Sequence, residues 1–167
     1  MIVFGIDPGI AHTGYGVIKA DQAALTAIGF GSIRTDAKAE SAYRLKSIYD
    51  SLIRLVSQYQ PDIFVLEDIF FNKNVSSALA VGEARGIAKL VAANASRKVW
   101  NYPPAQVKQA VVGYGKASKH QIQEMVKILL KLDEIPQPDH AADALAIAIC
   151  HARSRKVLQL RERYNNS

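Results

Sequence analysis

Cysteine is nearly absent from this sequence, which has one, Cys150, among 167 residues. A disulfide framework is therefore excluded, and the length suffices for one domain with its own hydrophobic core. Because Cys150 lies in an apolar helical run, we interpret it as an inert core thiol in a reducing compartment.

Long hydrophobic runs are absent as well. No apolar stretch reaches the roughly 18 residues that a membrane-spanning helix needs, and the chain does not open on a basic and then apolar signal sequence. We therefore expect a cytoplasmic protein without a membrane partner. Internal repeats, low-complexity tracts and linkers are also missing, which predicts a single domain over 1–167 with a basic tail at about 153–167.

Acidic residues are fewer than basic ones, since the sequence has 15 Asp and Glu and 21 Lys and Arg, which gives a net charge of +6. An excess of positive charge favours an acidic partner such as nucleic acid. Many basic proteins bind no nucleic acid, so the charge alone does not assign a partner.

The residues that are present alternate between strand and helix patterns. Five segments have strand patterns, namely 2–7, 14–21, 23–35, 62–67 and 97–102. Helical patterns or helix signals cover five others, namely 41–60, 76–96, 103–112, 119–130 and the run after Asp139. This order predicts an α/β protein with one mixed five-stranded sheet, three strands antiparallel and two parallel, flanked by helices.

Several helix ends carry capping signals. Ser41 and Asp139 are expected to be the N-caps of the first and last helices, and Ser118 with Gln121 forms a capping-box pattern. The segment 76–96 is rich in alanine and glycine, which fits either tight packing within the domain or a helix at a subunit interface.

Two apolar strands end on carboxylates, Asp7 in GIDPG and Glu67 in DIFVLE. The carboxyl ends of parallel strands meet at one edge of a sheet, so these acids converge if the strands are neighbours. On the last helix, His140 and Asp143 are three residues apart and share a face, with Asp139 close by. Carboxylates and imidazole suit Mg²⁺ or Mn²⁺, and paired divalent ions are a common solution for attack on a phosphodiester.

Each of these residues also has an ordinary structural interpretation. A single strand-end aspartate is more often a turn residue or a helix cap than a metal ligand, and Asp143 alone fits an acid that complements the helix dipole. Gly9, Gly14 and Gly16 are interpreted as turn residues, because GIDPGIAHTG lacks the GK[ST] ending of a phosphate-binding loop.

Four separated stretches resemble the RuvC-type Holliday-junction resolvases, and together they span nearly the whole chain. They are GIDPGIAHTGYGVI, VLEDIFFNKNVSSALAVGEARG, QVKQAVVGYGKASKHQIQEMV and PDHAADALAIA. The resemblance implies a ribonuclease H-like fold and a homodimer in the bacterial cytoplasm that cuts four-way DNA junctions in recombination and repair. It also implies two Mg²⁺ or Mn²⁺ ions per subunit, 5′-phosphate and 3′-hydroxyl products, and the RuvA and RuvB branch-migration complex as partners.

Residue by residue, Asp7, Glu67 and Asp143 match catalytic acids of that family. His140 stands where much of the family has an aspartate, and a neutral nitrogen donor there favours Mn²⁺ over Mg²⁺. Asp139 is the alternative ligand, which we interpret instead as a cap.

The resemblance also implies DNA-binding residues. Lys108 and Lys119 match basic positions that contact the DNA backbone, and Lys116 is a further candidate in the basic loop 113–119. Phe70 matches an aromatic residue that stacks on a base near the junction centre. Without the resemblance, each lysine is equally well a solvated surface residue, and Phe70 is a core residue.

Two other functions remain open at this point. One is a catalytically silent junction-binding module, in which the acids are structural. The other is an ATP-dependent phosphotransferase like the actin and sugar-kinase proteins, which share the core of this fold. Those proteins close two such domains on the nucleotide, and this chain has the length of one.

Overall fold

The computed structural model describes residues 1–21, 24–68 and 75–165. The strands in these ranges are β1 (Ile2–Asp7), β2 (His12–Ala20), β3 (Leu25–Arg34), β4 (Ile63–Glu67) and β5 (Lys98–Tyr102). The helices are α1 (Ser41–Tyr59), α2 (Val75–Asn94), α3 (Pro104–Val112), α4 (Lys119–Leu130) and α5 (Asp139–Asn165). No helix of the described ranges is long and apolar enough to cross a membrane.

The strands form one sheet in the order β3-β2-β1-β4-β5. Strands β1, β2 and β3 pair antiparallel, whereas β1, β4 and β5 run parallel. The predicted mixed five-stranded α/β sheet is therefore confirmed. In the register of β1 and β4, Ile6 lies opposite Leu66, so the next residue of each strand, Asp7 and Glu67, reaches the same edge.

A hydrophobic core covers each face of the sheet. In β1, Val3 packs with residues of α3, α4 and α5, whereas Phe4 and Ile6 pack with residues of α1 and α2. Strand β4 divides in the same way, with Val65 on the first face and Leu66 on the second. Side chains of a strand alternate between faces, so Asp7 and Glu67 both point toward α5.

Glycines let α5 lie directly on the sheet. A Cβ at Gly14 would collide with the backbone carbonyl of His140, and one at Gly16 would collide with Leu145. The interpretation of Gly14 and Gly16 as turn residues is therefore wrong, since both lie within β2 and remove side chains that would separate the helix from the strand. This close packing brings the first turn of α5 over the sheet edge that carries Asp7.

The capping predictions had mixed outcomes. Ser118 accepts the Gln121 backbone N–H at 3.2 Å while Gln121 accepts the Ser118 N–H at 2.8 Å, which confirms the capping box. Ser41 is wrong as an N-cap, because α1 begins at Ser41 and Glu40 occupies the N-cap position without a side-chain capping hydrogen bond. Asp139 is also wrong as an N-cap. It is itself the first helical residue, and its carboxylate is engaged by side chains of α4.

The last helix supplies much of the core and includes most of the predicted basic tail. It runs to Asn165, and Arg153 donates a hydrogen bond at 2.5 Å to the carbonyl of Ala110 in α3. Cys150 is fully buried in this helix, and burial raises the pKa of its thiol to about 11. A thiol in that state is a poor nucleophile at neutral pH, as expected for an inert core residue.

Candidate active site

The first turn of α5 and the end of β1 meet in a cluster of metal-ligand side chains. Nδ1 of His140 lies 2.8 Å from Oδ2 of Asp7, although the two residues are 133 positions apart in the sequence. Asp7, His140 and Asp143 each offer one ligand atom, and these atoms all lie within 4.8 Å of one another. A carboxylate from β1 together with a carboxylate and an imidazole from α5 suits a divalent cation.

Glu67 lies outside this group of three but lines the same cleft. The cleft has a volume of about 330 Å³, and Asp7, Glu67 and Asp143 supply its acidic lining. Lys108 and Lys119 lie on its wall, together with apolar residues of α3, α4 and α5. The three acids expected from the sequence therefore share one cleft, and His140 adjoins it through Asp7.

Two acids of the cleft, Glu67 and Asp143, have raised pKa values. Burial, and after it the charges of Asp7 and Asp143, raise the pKa of Glu67 to about 7 against the opposing effect of Lys108 and Arg85. Burial also raises the pKa of Asp143, with Asp7 adding to the effect and Lys119 opposing it. Carboxylates that are gathered and desolvated in this way are stabilised by a bound cation.

Lys119 makes two ion pairs at the edge of the cleft. Its Nζ lies 3.1 Å from Oδ2 of Asp139 and 3.4 Å from Oδ2 of Asp143. Asp139 also accepts a hydrogen bond at 3.1 Å from Nε2 of Gln123. These partners hold the Asp139 carboxylate on the α4 side, and the cluster of atoms within 4.8 Å does not include it.

The other residues singled out for DNA binding differ in position. Lys116 is exposed in the loop between α3 and α4 and is not part of the cleft wall. Phe70 lies outside the described residues, so its assignment stays a prediction.

Two residues near the site were not singled out from the sequence. The ring of His12 stacks on that of His140 with centroids 5.5 Å apart and an interplanar angle of 14°. Arg85, in the GEARG part of α2, is buried and contacts the end of β4. Neither contact follows from a local spacing rule. In the sequence, Arg85 is notable only as an arginine within a helix segment, 76–96, that is rich in alanine and glycine, and this could have marked it as a buried charge.

Comparisons with known proteins show similarity over most of the chain. A family model described as "Crossover junction endodeoxyribonuclease RuvC" matches residues 3–151. A protein of that description from Caldanaerobacter subterraneus subsp. tengcongensis is 51% identical over 159 residues, which are 95% of this chain and 96% of the relative. Another from Desulforamulus reducens is 56% identical over 153 residues, 92% of this chain and 94% of the relative.

A solved structure has a similar fold. It is Thermus thermophilus RuvC in complex with a Holliday junction substrate, with a TM-score of 0.87 and 33% sequence identity. The similarity covers 94% of this chain and 96% of that chain. The likeness therefore extends over nearly the whole of both chains.

Proposed function

The chain belongs to the RuvC family of crossover junction endodeoxyribonucleases, and we propose that it cuts four-way DNA junctions in the cleft between β1, β4 and α5. As a member of that family it has a ribonuclease H-like fold and is a Holliday junction resolvase of recombination and repair. The observation that supports the cleft as the active site is the meeting of Asp7, His140 and Asp143 within 4.8 Å.

Four side chains are proposed to hold the metal. Asp7, His140 and Asp143 would hold one Mg²⁺ or Mn²⁺ ion, and Glu67 with Asp7 would hold a second in the same subunit. Divalent ions held there would supply a water of lowered pKa as the nucleophile and would stabilise charge on the departing 3′ oxygen. The protein supplies the alignment, because Asp7 lies on a strand of the central sheet and the glycines of β2 let α5 pack closely against that sheet.

The proposed products are a 5′ phosphate and a 3′ hydroxyl, which a ligase can rejoin. We propose a homodimer in the cytoplasm, because a two-fold dimer presents two identical sites to a two-fold junction and makes paired nicks on opposing strands. The RuvA and RuvB branch-migration proteins are the proposed partners, as the family membership implies.

Basic residues around the cleft are proposed to hold the DNA backbone. Lys108 and Lys119 line the cleft, so they lie beside any phosphate that reaches the acids, and Lys116 extends this basic surface along the adjacent loop. Lysine contacts to phosphate make affinity fall steeply with salt concentration. Phe70 is proposed to stack on a base at the junction centre, a contact of roughly 1–3 kcal/mol.

A labelled synthetic junction tests the proposed reaction. We expect paired nicks in Mn²⁺ or Mg²⁺, none in chelator, and no cutting of a linear duplex of the same sequence. Binding of the junction without cleavage in either metal would instead support the silent binding module. Tight ATP binding would support the phosphotransferase, which the family membership does not.

His140→Asp tests the proposed metal preference. Since His140 contacts Asp7 directly, the change adds a third carboxylate to those of Asp7 and Asp143 and replaces a nitrogen donor by oxygen. Cleavage in Mg²⁺ is expected to rise severalfold relative to cleavage in Mn²⁺, because Mg²⁺ prefers oxygen ligands.

His140→Asn is the matched control, since it offers an oxygen without the charge. If the ratio of cleavage in Mg²⁺ to cleavage in Mn²⁺ changes only in the aspartate variant, the metal preference depends on the charge of the side chain. A ratio unchanged in both variants contradicts the assignment of His140 as a ligand.

A further inference from the structure

Arg85 is a buried cation beneath the sheet edge that carries the acids. Its residue is 8% exposed, and it lies on α2 between two fully buried alanines of the core formed with α1. Because α2 covers the face of the sheet opposite α5, the guanidinium approaches Glu67 from the side away from the cleft. Burial of a guanidinium is costly unless its N–H groups are paired with good geometry.

The guanidinium binds three acceptors at the ends of two strands. Nη1 donates to the backbone carbonyl of Glu67, while Nη2 donates to Oδ1 of Asn101 at 2.6 Å and to Oδ1 of Asp68 at 3.1 Å. Asn101 belongs to β5 and lies opposite Leu66 in the parallel register. Arg85 therefore fastens the last residues of β4 to those of β5.

The point of attachment matters because the strand ladder ends there. Asp68 donates its backbone N–H to the carbonyl of Tyr102 at 2.8 Å, and Arg85 donates to the carbonyl of Glu67 in the same peptide group. Both sides of the Glu67–Asp68 link are thus held in place. Arginine suits this task, since its planar fork reaches several acceptors in fixed directions and a lysine ammonium does not.

We propose that Arg85 is a positioning residue for the cleavage reaction. By holding the Glu67 backbone from the α2 face, it sets the direction in which the Glu67 carboxylate enters the cleft on the α5 face. This inference rests on the proposed role of Glu67 as a metal ligand. Residues that orient metal ligands from outside typically contribute 10–100-fold to metal affinity or activity.

Two substitutions at Arg85 and one control test the proposal. Arg85→Met removes the charge and the donors, Arg85→Lys keeps the charge but loses the fork, and Arg54→Met removes an exposed arginine of α1 that contacts Ser51. Each protein is assayed well below its own melting temperature for Mn²⁺ affinity by titration calorimetry, junction affinity in chelator, and single-turnover cleavage.

Arg85→Met is expected to weaken Mn²⁺ binding and to slow cleavage by about 10–100-fold while junction affinity stays within about twofold. Arg85→Lys is expected to fall between this variant and the wild type, and Arg54→Met should match the wild type. A folded Arg85→Met that loses thermal stability but keeps wild-type Mn²⁺ affinity and cleavage overturns the proposal, since a purely structural role predicts that result.

Two further variants keep the outcome decisive. If Arg85→Met does not fold, Asn101→Leu removes one acceptor of the fork and is expected to reduce Mn²⁺ affinity in the same direction, whereas unchanged affinity contradicts the positioning role. Glu67→Gln separates this inference from its premise. If that variant cuts at the wild-type rate, the role of Glu67 is wrong. If it is inactive while Arg85→Met is fully active, the role of Arg85 alone is wrong.

Discussion

Asp7→Asn is expected to abolish junction cutting, with a fall of about 10³-fold or more, equivalent to about 4 kcal/mol of transition-state stabilisation. Asp7 is the residue that contacts His140, lines the cleft and raises the pKa values of both Glu67 and Asp143. The amide keeps the shape of the side chain but removes the charge that a cation requires. Cleavage in Mn²⁺ and in Mg²⁺ should therefore be lost together.

Junction binding in chelator should survive this substitution, because the proposed contacts to phosphate come from lysines. Asp50→Asn is the matched control, since it neutralises a partly exposed aspartate of α1 that pairs with Lys46. The control should cut at the wild-type rate. Nicking by Asp7→Asn at a rate near that of the control would place the chemistry elsewhere on the protein.

Glu67→Gln is expected to combine a loss of cutting with a gain in stability. The pKa of Glu67 is raised from 4.5 to about 7 by burial first and by Asp7 and Asp143 next, so the folded protein holds this proton more tightly than the unfolded chain. That contribution to stability is fully present below pH 4.5 and is lost as the pH rises through about 7. At pH 8 the ionised carboxylate therefore destabilises the metal-free protein.

The size of the effect is modest because Glu67 is partly exposed to solvent, which screens its charge. After that discount we expect about 1 kcal/mol, or ~2–4 °C in melting temperature, in favour of Glu67→Gln at pH 8 in chelator. The difference should vanish near pH 4.5. Mn²⁺ should raise the melting temperature of the wild type more than that of the variant, because the bound cation offsets the negative charge of Glu67.

Glu83→Gln, on the exposed face of α2, is the control for this experiment. It should change neither cleavage nor the dependence of melting temperature on pH. Equal melting temperatures of the wild type and Glu67→Gln at pH 8 in chelator would show that the ionised Glu67 carboxylate does not destabilise the folded protein. Wild-type cleavage by Glu67→Gln would remove it from the metal site.

Such a gain in stability on removal of a functional acid has a general cause. Folding brings the acidic side chains of an active site together before a ligand neutralises them. The repulsion between their charges therefore lowers the stability of the folded protein. The two lysines of the cleft offset part of this cost, since Lys108 lowers the pKa of Glu67 and Lys119 lowers that of Asp143.

The parts of the fold that depend on neighbours in the sequence were predictable. The capping box of Ser118 and Gln121 needs residues three apart, and the helix that opens at Pro104 needs a fixed φ at its first position. The order of strands and helices likewise follows from hydrophobic periodicity. The N-cap prediction was wrong for Ser41 because this residue lies one position inside the helix. It was wrong for Asp139 because this residue is also helical and its carboxylate binds side chains of α4.

The acids of the site were also visible in the sequence, because strand-end carboxylates are unusual where apolar residues are expected. Asp7, Glu67 and the pair of His140 and Asp143 could be named with the edge of the sheet on which they meet. Their assignment as metal ligands stays a proposal that the variants above test. The family resemblance added the lysines and the Phe70 that are proposed to bind DNA, which periodicity alone does not distinguish from surface and core residues.

Local pattern thus determined the elements, their order and the residues that end them, because each depends on interactions within a few positions of the chain. Only the tertiary structure decided what those residues touch. The stacking of His12 on His140, the pairing of Lys119 with Asp143 and the hold of Arg85 on the end of β4 all join distant segments. Such contacts depend on how closely α2 and α5 pack against the sheet, and that distance is set by side chains from both elements at once.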